Sequence, residues 1–427
     1  MMKQITTLFL IALAVMGNTV HAETTKTASN LVNQLNDEWE DSDDWEDEDS
    51  FSSTQISGFL EARSGIRLQN DRYQKKASIN ELRLKTELGH SFESFDIKFN
   101  ADFIADSVVD KQALNLQTGQ GFMDLRELYI SFSPSEKVDL KVGRQTLTWG
   151  TGDLVFINDL FSKDWRSFFN GRDTQYLKAP SDAIKASLYF DALNVDLVYS
   201  PQYNSDRFIN GQRLSYQNAT KQPLQADVPD SDDELSIRAY RSFGGAETAL
   251  YYYQGHTKSP AGFNQQIGKA VFPKLKVYGA SIRKPLAKGI FNAELGYRQL
   301  STSNDVSINY SKNDEWRALI GFEQEIAKEL TAAVQYYVEV KKDQDDRHLT
   351  TLRLQKQMLQ QKLQLSLFNF YSPNQKDGYL RLNASYKYSD DLKLEIGSNA
   401  FYGKNNQGFF SQFKDNNNLY GAIKLSF

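Results

Sequence analysis

The 427-residue sequence contains no cysteine and only four histidines. Stability must therefore come from backbone pairing and burial, because disulfides are excluded. No two histidines have metal-ligand spacing, and the chain lacks a P-loop and a GxSxG nucleophile elbow. The sequence thus predicts no metal, no cofactor and no enzymatic activity, with a barrel enzyme kept as a third alternative because catalytic residues can meet in space without a motif.

The chain also lacks long apolar runs. Apart from the N-terminus, no stretch is long enough for a membrane-spanning helix, which excludes a helical membrane protein. The N-terminus has Lys3, an apolar core at residues 8–16 and a small-residue end at residues 20–22. This pattern predicts a cleaved signal peptide at residues 1–22 and an exported mature chain that begins near Glu23.

Basic residues form no patch, because they alternate with acidic ones along the chain, and this argues against nucleic-acid binding. Negative charge is concentrated instead in residues 37–49, DEWEDSDDWEDED. Like charges at this density repel one another, so residues 23–53 are predicted to be an acidic, disordered periplasmic tail. Two roles stay open for it: a solvated spacer, or a segment that docks on a basic periplasmic partner with Trp39 and Trp45 as anchors.

From Thr54 onwards, apolar and polar residues alternate in runs of about ten, as in transmembrane β-strands. In residues 95–103, for example, Phe95, Ile97 and Phe99 share one face, and Asp96 and Lys98 share the other. Charge confined to one face suits a watery lumen and a lipid exterior. A soluble sandwich would present the same alternation with its charged face outward, so periodicity does not settle the direction.

Short and long connections alternate strictly between these runs, which is typical of outer-membrane barrels. The sequence therefore predicts an all-β fold: a single transmembrane antiparallel β-barrel of about 18 strands over residues 54–427, with short periplasmic turns and long extracellular loops. The last strand ends at Phe427 and resembles the signal that the outer-membrane assembly machinery recognises. These features place the protein in the outer membrane of a Gram-negative bacterium, in contact with its lipid.

Residues 143–153, GRQTLTWGTGD, resemble the strand end of porin-like outer-membrane families, including the alginate-export type and related uncharacterised barrels. The resemblance implies a large single barrel that acts as a channel. The alginate-export type has a strongly arginine-lined channel, whereas the inward faces here mix both signs of charge. The predicted pore-lining residues are Arg83, Lys98, Arg238, Arg298, Arg317 and Arg381.

Residues 150–179 form the third long connection, which in porin-like barrels commonly folds into the lumen, so we predict a constriction loop. Asn158 or Asp159 is predicted to cap a short helix over residues 160–169. The predicted constriction or solute-binding residues are Asp153, Asp159, Asp164, Trp165, Arg166, Arg172 and Asp173. Two roles remain open for these side chains: contact with a solute, or ion pairs that fix the loop to the wall.

The sequence thus favours an outer-membrane porin or channel that allows passive passage of a small or oligomeric solute. The alternative is an outer-membrane partner of a periplasmic transport or assembly complex, recruited through the acidic tail.

Overall fold

A computed structural model describes residues 54–109, 112–217, 219–229, 231–301, 308–310, 314–342, 344–404 and 408–427. The predicted signal peptide and acidic tail lie outside these residues. Within them, no helix is long and apolar enough to span a membrane.

Eighteen long strands form one closed antiparallel ring, in which each strand pairs with its neighbours in sequence and the last, β22, pairs with β1. The ring strands are β1 (Gln55–Arg67), β2 (Ala77–Ser91), β3 (Asp96–Asp106), β4 (Met123–Ser135), β5 (Val138–Thr146), β6 (Pro180–Tyr189), β7 (Asn194–Ser200), β9 (Glu234–Phe243), β10 (Ala246–His256), β13 (Lys274–Leu286), β14 (Gly289–Leu300), β16 (Glu315–Ala327), β17 (Leu330–Lys341), β18 (Arg347–Met358), β19 (Leu363–Ser372), β20 (Asp377–Lys387), β21 (Leu392–Gly403) and β22 (Asn418–Ser426). This confirms the predicted barrel and its strand number.

The remaining elements lie in the connections. Four short strands pair outside the ring: β8 (Ala226–Asp227), β11 (Gly262–Asn264), β12 (Lys269–Val271) and β15 (Ile308–Tyr310). One α-helix, α1 (Trp165–Phe169), and two 3-10 helices, Thr174–Leu177 and Ser411–Asn416, complete the secondary structure of the described residues.

The connections at one end of the barrel are turns of two to four residues, and those at the other end are longer loops, as the sequence predicts, except for residues 373–376, which are as short as the turns. We call these the short-turn end and the long-loop end. Gly244 and Gly245 form the two-residue turn between β9 and β10 with φ of 58° and 77°, a conformation that two successive residues with side chains rarely adopt. The chain enters β1 and leaves β22 at the short-turn end, where the backbones of Gly58 and Phe427 exchange two hydrogen bonds of 3.0 Å.

The two faces of the ring differ sharply, and this settles the direction that periodicity left open. On β1, Leu60 and Ile66 point outward and are exposed, whereas Glu61, Arg63 and Arg67 point inward and are buried. The same alternation repeats around the ring, so the outer surface is apolar and the charged face lines the interior. A lipid-facing exterior and a polar lumen are the arrangement of a transmembrane barrel.

Candidate functional site

The connection between β5 and β6, residues 147–179, crosses the interior of the barrel; we call it loop 3. The Asp153 carboxylate accepts a hydrogen bond from Nε of Arg353 on β18 at 3.1 Å. In the closed ring, β18 lies diametrically opposite β5, with eight strands between them on either side. A loop that leaves β5 and contacts β18 must pass across the lumen.

Part of the wall is shaped to receive the loop. Asn158 and Ile157 lie against Gly279 of β13 and Gly296 of β14, where a methyl group would overlap the loop side chains. Beside these glycines, the Glu294 carboxylate accepts hydrogen bonds from the Gly152 amide at 2.8 Å and from Nδ2 of Asn158 at 2.9 Å. The missing side chains let the loop approach closely, and one buried carboxylate fixes its backbone.

Three wall arginines hold the other half of loop 3 by its carbonyl groups. Arg63 of β1 donates to the Gly171 carbonyl at 2.6 Å, Arg126 of β4 to the Lys178 carbonyl at 2.7 Å, and Arg381 of β20 to the Arg172 carbonyl at 2.7 Å. Hydrogen bonds from a charged group are stronger than neutral ones. The loop is therefore fastened on several sides of the ring.

Aromatic packing reinforces these polar anchors at two places. Phe161 packs edge-on against Trp149 of the same loop with centroids 4.9 Å apart, and the Trp149 ring lies 6.2 Å from that of Tyr251 on β10. On the other side, Phe169 packs against Tyr379 of β20 and Phe401 of β21 with centroid distances of 5.0 and 5.2 Å. These contacts place apolar cores inside the barrel, where loop 3 meets the wall.

Two further long connections cover loop 3: loop 4 (residues 201–233) and loop 9 (residues 404–417). Arg207 of loop 4 binds both oxygens of Asp124 at 2.7 Å and lies 3.4 Å from an Asp164 oxygen of loop 3. Phe413 of loop 9 packs 5.8 Å from Phe169. Described residues of loops 4 and 9 thus pack against loop 3.

The loop contains a shorter helix than predicted, with a different cap. Helix α1 begins at Trp165, and the Asp164 side chain accepts from the Ser167 amide at 2.9 Å. The predicted caps are wrong because Asn158 is held by Glu294 and Asp159 by Lys163, whose Nζ lies 2.7 Å away. Glu294, which is distant in sequence, and Lys163, which is four residues away, thus occupy both side chains.

All seven residues predicted for the constriction contact other groups of the protein. Their partners are Arg353 for Asp153, Lys163 and Thr148 for Asp159, Ser167 and Arg207 for Asp164, Asp206 for Trp165, the Thr118 carbonyl for Arg166, Glu81 and Ser167 for Arg172, and the Gln175 amide for Asp173. Asp164, Arg166 and Arg172 lie together beside β2 and β4, whereas Asp153 and Asp159 lie elsewhere along the loop. Ion pairs of Asp153 with Arg353 and of Arg172 with Glu81 fix the loop to the wall, whereas Asp159 and Asp173 contact loop 3 itself. Solute contact stays a prediction.

The six predicted lining residues all lie on the inward face, and five of them form ion pairs with carboxylates. The pairs are Arg83 with Glu81 and Asp102, Lys98 with Glu127, Arg238 with Asp196, Arg298 with Glu315, and Arg317 with Glu315 and Glu339. The sixth, Arg381, holds loop 3 as described above. Positive charge on this wall is thus largely balanced locally.

The surroundings of two carboxyl groups in the loops shift their pKa values in opposite directions. Burial acts to raise the pKa of Asp164, but the guanidinium groups of Arg166, Arg207 and Arg172 outweigh it and hold that pKa below its ordinary value. Burial raises the pKa of Asp206, although its carboxylate accepts from Ser259, Trp165 and the Lys163 amide. On acidification Asp206 is therefore protonated before Asp164, and the Asp164 anchor loses its charge only below the ordinary aspartate pKa.

Several residues of the site are absent from the sequence prediction. Gly279 and Gly296 carried a usable signal, because glycine inside a strand marks close approach of another backbone. Arg207 carried no such signal, since nothing in loop 4 distinguishes it from other basic loop residues. The described residues contain no group of three or more side chains placed to hold a metal ion.

Comparison with known proteins identifies the architecture but not a sequence family. No protein-family model matches the chain, and no curated protein matches it. Among solved structures, Acinetobacter baumannii OccAB1 is similar with a TM-score of 0.55 at 8% identity, over 88% of this chain and 96% of that one. The fold is that of a porin-like outer-membrane barrel. A. baumannii OccAB3 is similar to the same degree, with a TM-score of 0.55 at 10% identity over 88% of this chain and 99% of that chain.

Proposed function

We propose that the protein is an outer-membrane channel of a Gram-negative bacterium that lets a small or oligomeric solute pass passively, with loop 3 as its constriction. The observation that carries this proposal is the Asp153 to Arg353 contact across the ring. A loop fastened across a polar lumen divides and narrows the aqueous path. Pore width and lining charge then decide which solutes pass.

The charge of the lumen favours an uncharged or mixed-charge solute over a polyanion of the alginate kind. Most arginines of the inward face bind carboxylates, as Arg83 does with Asp102 at 2.6 Å and Arg298 with Glu315 at 2.8 Å. A polyanion needs a path of unpaired positive charge. Arginines that are paired with carboxylates inside the barrel leave little net positive charge for a polyanion to bind.

Planar-bilayer recording of the refolded protein tests the channel directly. We expect discrete conductance steps and, in a salt gradient, a reversal potential close to zero, because paired charges discriminate weakly between cation and anion. Absence of conductance at every voltage would contradict the proposal. A reversal potential that shows strong anion selectivity would still support a channel, but it would contradict an uncharged or mixed-charge solute.

The second candidate is an outer-membrane partner of a periplasmic transport or assembly complex, recruited through residues 37–49. Recruitment through the tail stays a prediction, because that segment lies outside the described residues.

A further inference from the structure

Four aromatic side chains form one continuous row on the outer surface of the barrel, near the long-loop end. Tyr252 of β10 lies directly opposite Tyr278 of β13, Tyr278 opposite Tyr297 of β14, and Tyr297 opposite Trp316 of β16. The ring centroids are 5.4 Å apart for Tyr252 and Tyr278 and 4.8 Å apart for Tyr297 and Trp316. We call this set the aromatic row. Tyrosine and tryptophan collect where lipid tails meet lipid headgroups, so the row marks the membrane interface on this side.

Lys276 lies on the same outer surface, beyond the aromatic row. Leu275 and Val277 are buried in a cluster with Leu160 of loop 3, so Lys276 and Tyr278, which alternate with them, point outward and are exposed. Lys276 is two residues nearer the long-loop end than Tyr278, which is about 7 Å along a strand. The ammonium group of Lys276 therefore lies at the level of the lipid headgroups, where a charged side chain on a barrel exterior costs little.

Two amide side chains flank this lysine. Lys276 lies directly opposite Gln254 of β10 on one side and Gln299 of β14 on the other. The Tyr252 hydroxyl donates to Oε1 of Gln254 at 2.9 Å, which leaves the Nε2 group of that amide as a donor. Three polar side chains with hydrogen-bond donors thus stand side by side on three neighbouring strands, facing the membrane interface.

The carboxylates at this rim of the barrel do not neutralise Lys276. Both oxygens of Asp314 accept hydrogen bonds, from the Tyr297 hydroxyl at 2.6 Å and from the Leu300 amide at 3.2 Å. Asp232 lies 3.5 Å from Nζ of Lys274, and not beside Lys276. Among the residues that the structure describes, no carboxylate lies within 4.0 Å of Lys276. Its positive charge is therefore available to an anion outside the barrel.

A shallow furrow continues from the aromatic row towards the centre of the membrane. Ala280 of β13 lies directly between Leu250 of β10 and Leu295 of β14. The side chains of Leu250 and Leu295 are 65% and 46% exposed, and the much shorter Ala280 leaves a gap between them. An extended acyl chain fits a gap of this shape and gains dispersion contacts on both sides.

We propose that Lys276, Gln254 and Gln299 bind the phosphate group of a lipid headgroup in the leaflet that faces the long loops, with an acyl chain of that lipid in the furrow. Phosphate carries negative charge and several acceptor oxygens, which match one ammonium group and two amide donors. The long loops of an outer-membrane barrel lie outside the cell, so the lipid belongs to the outer leaflet. The site depends on the barrel and its orientation, and it does not require the channel to conduct.

Native mass spectrometry of the refolded protein in detergent, titrated with diphosphorylated lipid A, tests the site. We expect saturable binding to the parent and an affinity about tenfold weaker for Lys276→Gln, because a hydrogen bond between charged groups is lost. Lys276→Arg keeps the charge and should bind as the parent does. The matched control is Lys284→Gln, which removes an outward lysine from the short-turn end of the same strand and should also leave the affinity unchanged.

Three results would overturn the proposal. One is equal affinity of the parent and Lys276→Gln, and another is equal affinity of the parent for lipid A and for the same lipid after removal of its phosphates. The third concerns a second copy of this chain: an oligomer that excludes lipid A, and that dissociates in Trp316→Ala by light scattering, would make the aromatic row a subunit contact. If the protein binds lipid A as expected but shows no conductance in bilayers, the channel proposal fails and the lipid site stands.

Discussion

Asp164 shows how one side chain of loop 3 combines two structural roles. Its carboxylate caps helix α1 through the Ser167 amide and faces the guanidinium of Arg207 from loop 4. An N-cap contributes about 1 kcal/mol to stability. A buried charge contributes more when it lies between groups of opposite charge that would otherwise repel one another. The two roles use different oxygens of one carboxylate, Oδ1 for the cap and Oδ2 for Arg207, so substitutions have to be chosen to separate them.

The substitution Asp164→Asn keeps the cap and removes the charge. Because the folded-state pKa of Asp164 is depressed, its contribution to loop stability is present above the ordinary aspartate pKa and is lost as pH falls through the lower folded value. We expect the conductance of the parent to rise in that acid range and Asp164→Asn to show raised conductance already at pH 7. Recordings from pH 7 down to about pH 2 extend below the ordinary aspartate pKa and measure both profiles.

Asp173 and Asp206 also titrate in loops 3 and 4, so the comparison needs a control. The pKa of Asp173 is lowered as well, and Asp173→Asn should remove part of the same acid response. The pKa of Asp206 is raised, so its contribution to stability is fully present below the ordinary aspartate pKa and is lost at higher pH, which opposes the trend. If the conductance of the Asp164→Asn/Asp173→Asn double variant still rises in acid as the conductance of the parent does, these two carboxyl groups do not cause the acid response.

At the scale of elements, loop 3 depends on strands that lie far from it in sequence. Glu294 of β14 fixes residues 151–158 by hydrogen bonds to backbone amides and to Asn158, and it is buried. Hydrogen bonds to a charged group are worth about 1.5–3 kcal/mol each, so this single carboxylate holds one end of the crossing. The wall therefore positions the loop as much as the loop's own sequence does.

The substitution Glu294→Ala should release that end of loop 3 without unfolding the barrel. We expect a local loss of about 3 kcal/mol and larger, noisier single-channel currents, because the loop fluctuates in the lumen. Glu247→Ala is the matched control: it removes an inward carboxylate from β10 that has no contact with loop 3 among the described hydrogen bonds. Identical current traces for the two variants would show that Glu294 does not anchor the loop.

The elements differ in how far the sequence predicts them. The ring strands follow from period-two alternation, and the turns follow from short polar links such as Gly244 and Gly245, because both signals are local. The start of α1 does not follow, since Asn158, Asp159 and Asp164 are all acceptable caps and only the distant Glu294 removes the first of them. Local pattern determines which segments pair, and contacts distant in sequence determine what fills the interior.

At the scale of the whole molecule, the barrel has an apolar exterior and an interior shared between charged wall and inserted loops. Strand count and the alternation of connections were predictable because each strand has a local period-two pattern and each connection lies between two such runs. The inward insertion of loop 4 could not be predicted. Its contacts, such as that of Arg207 with Asp124, join residues that are far apart in the sequence and that no local pattern links. The proposed channel depends on this insertion, since an empty ring of 18 strands would be a wide pore.

Single-channel conductance of a loop-shortened protein tests the constriction most directly. The Asp164 amide already donates to the Leu177 carbonyl at 2.6 Å, so two glycines can replace residues 165–176 as a tight turn. Removing residues 265–268 at the tip between β11 and β12 provides the control, and that protein should conduct as the parent does. The account predicts a severalfold larger conductance for the loop 3 variant, and an unchanged conductance in a correctly folded barrel would contradict it.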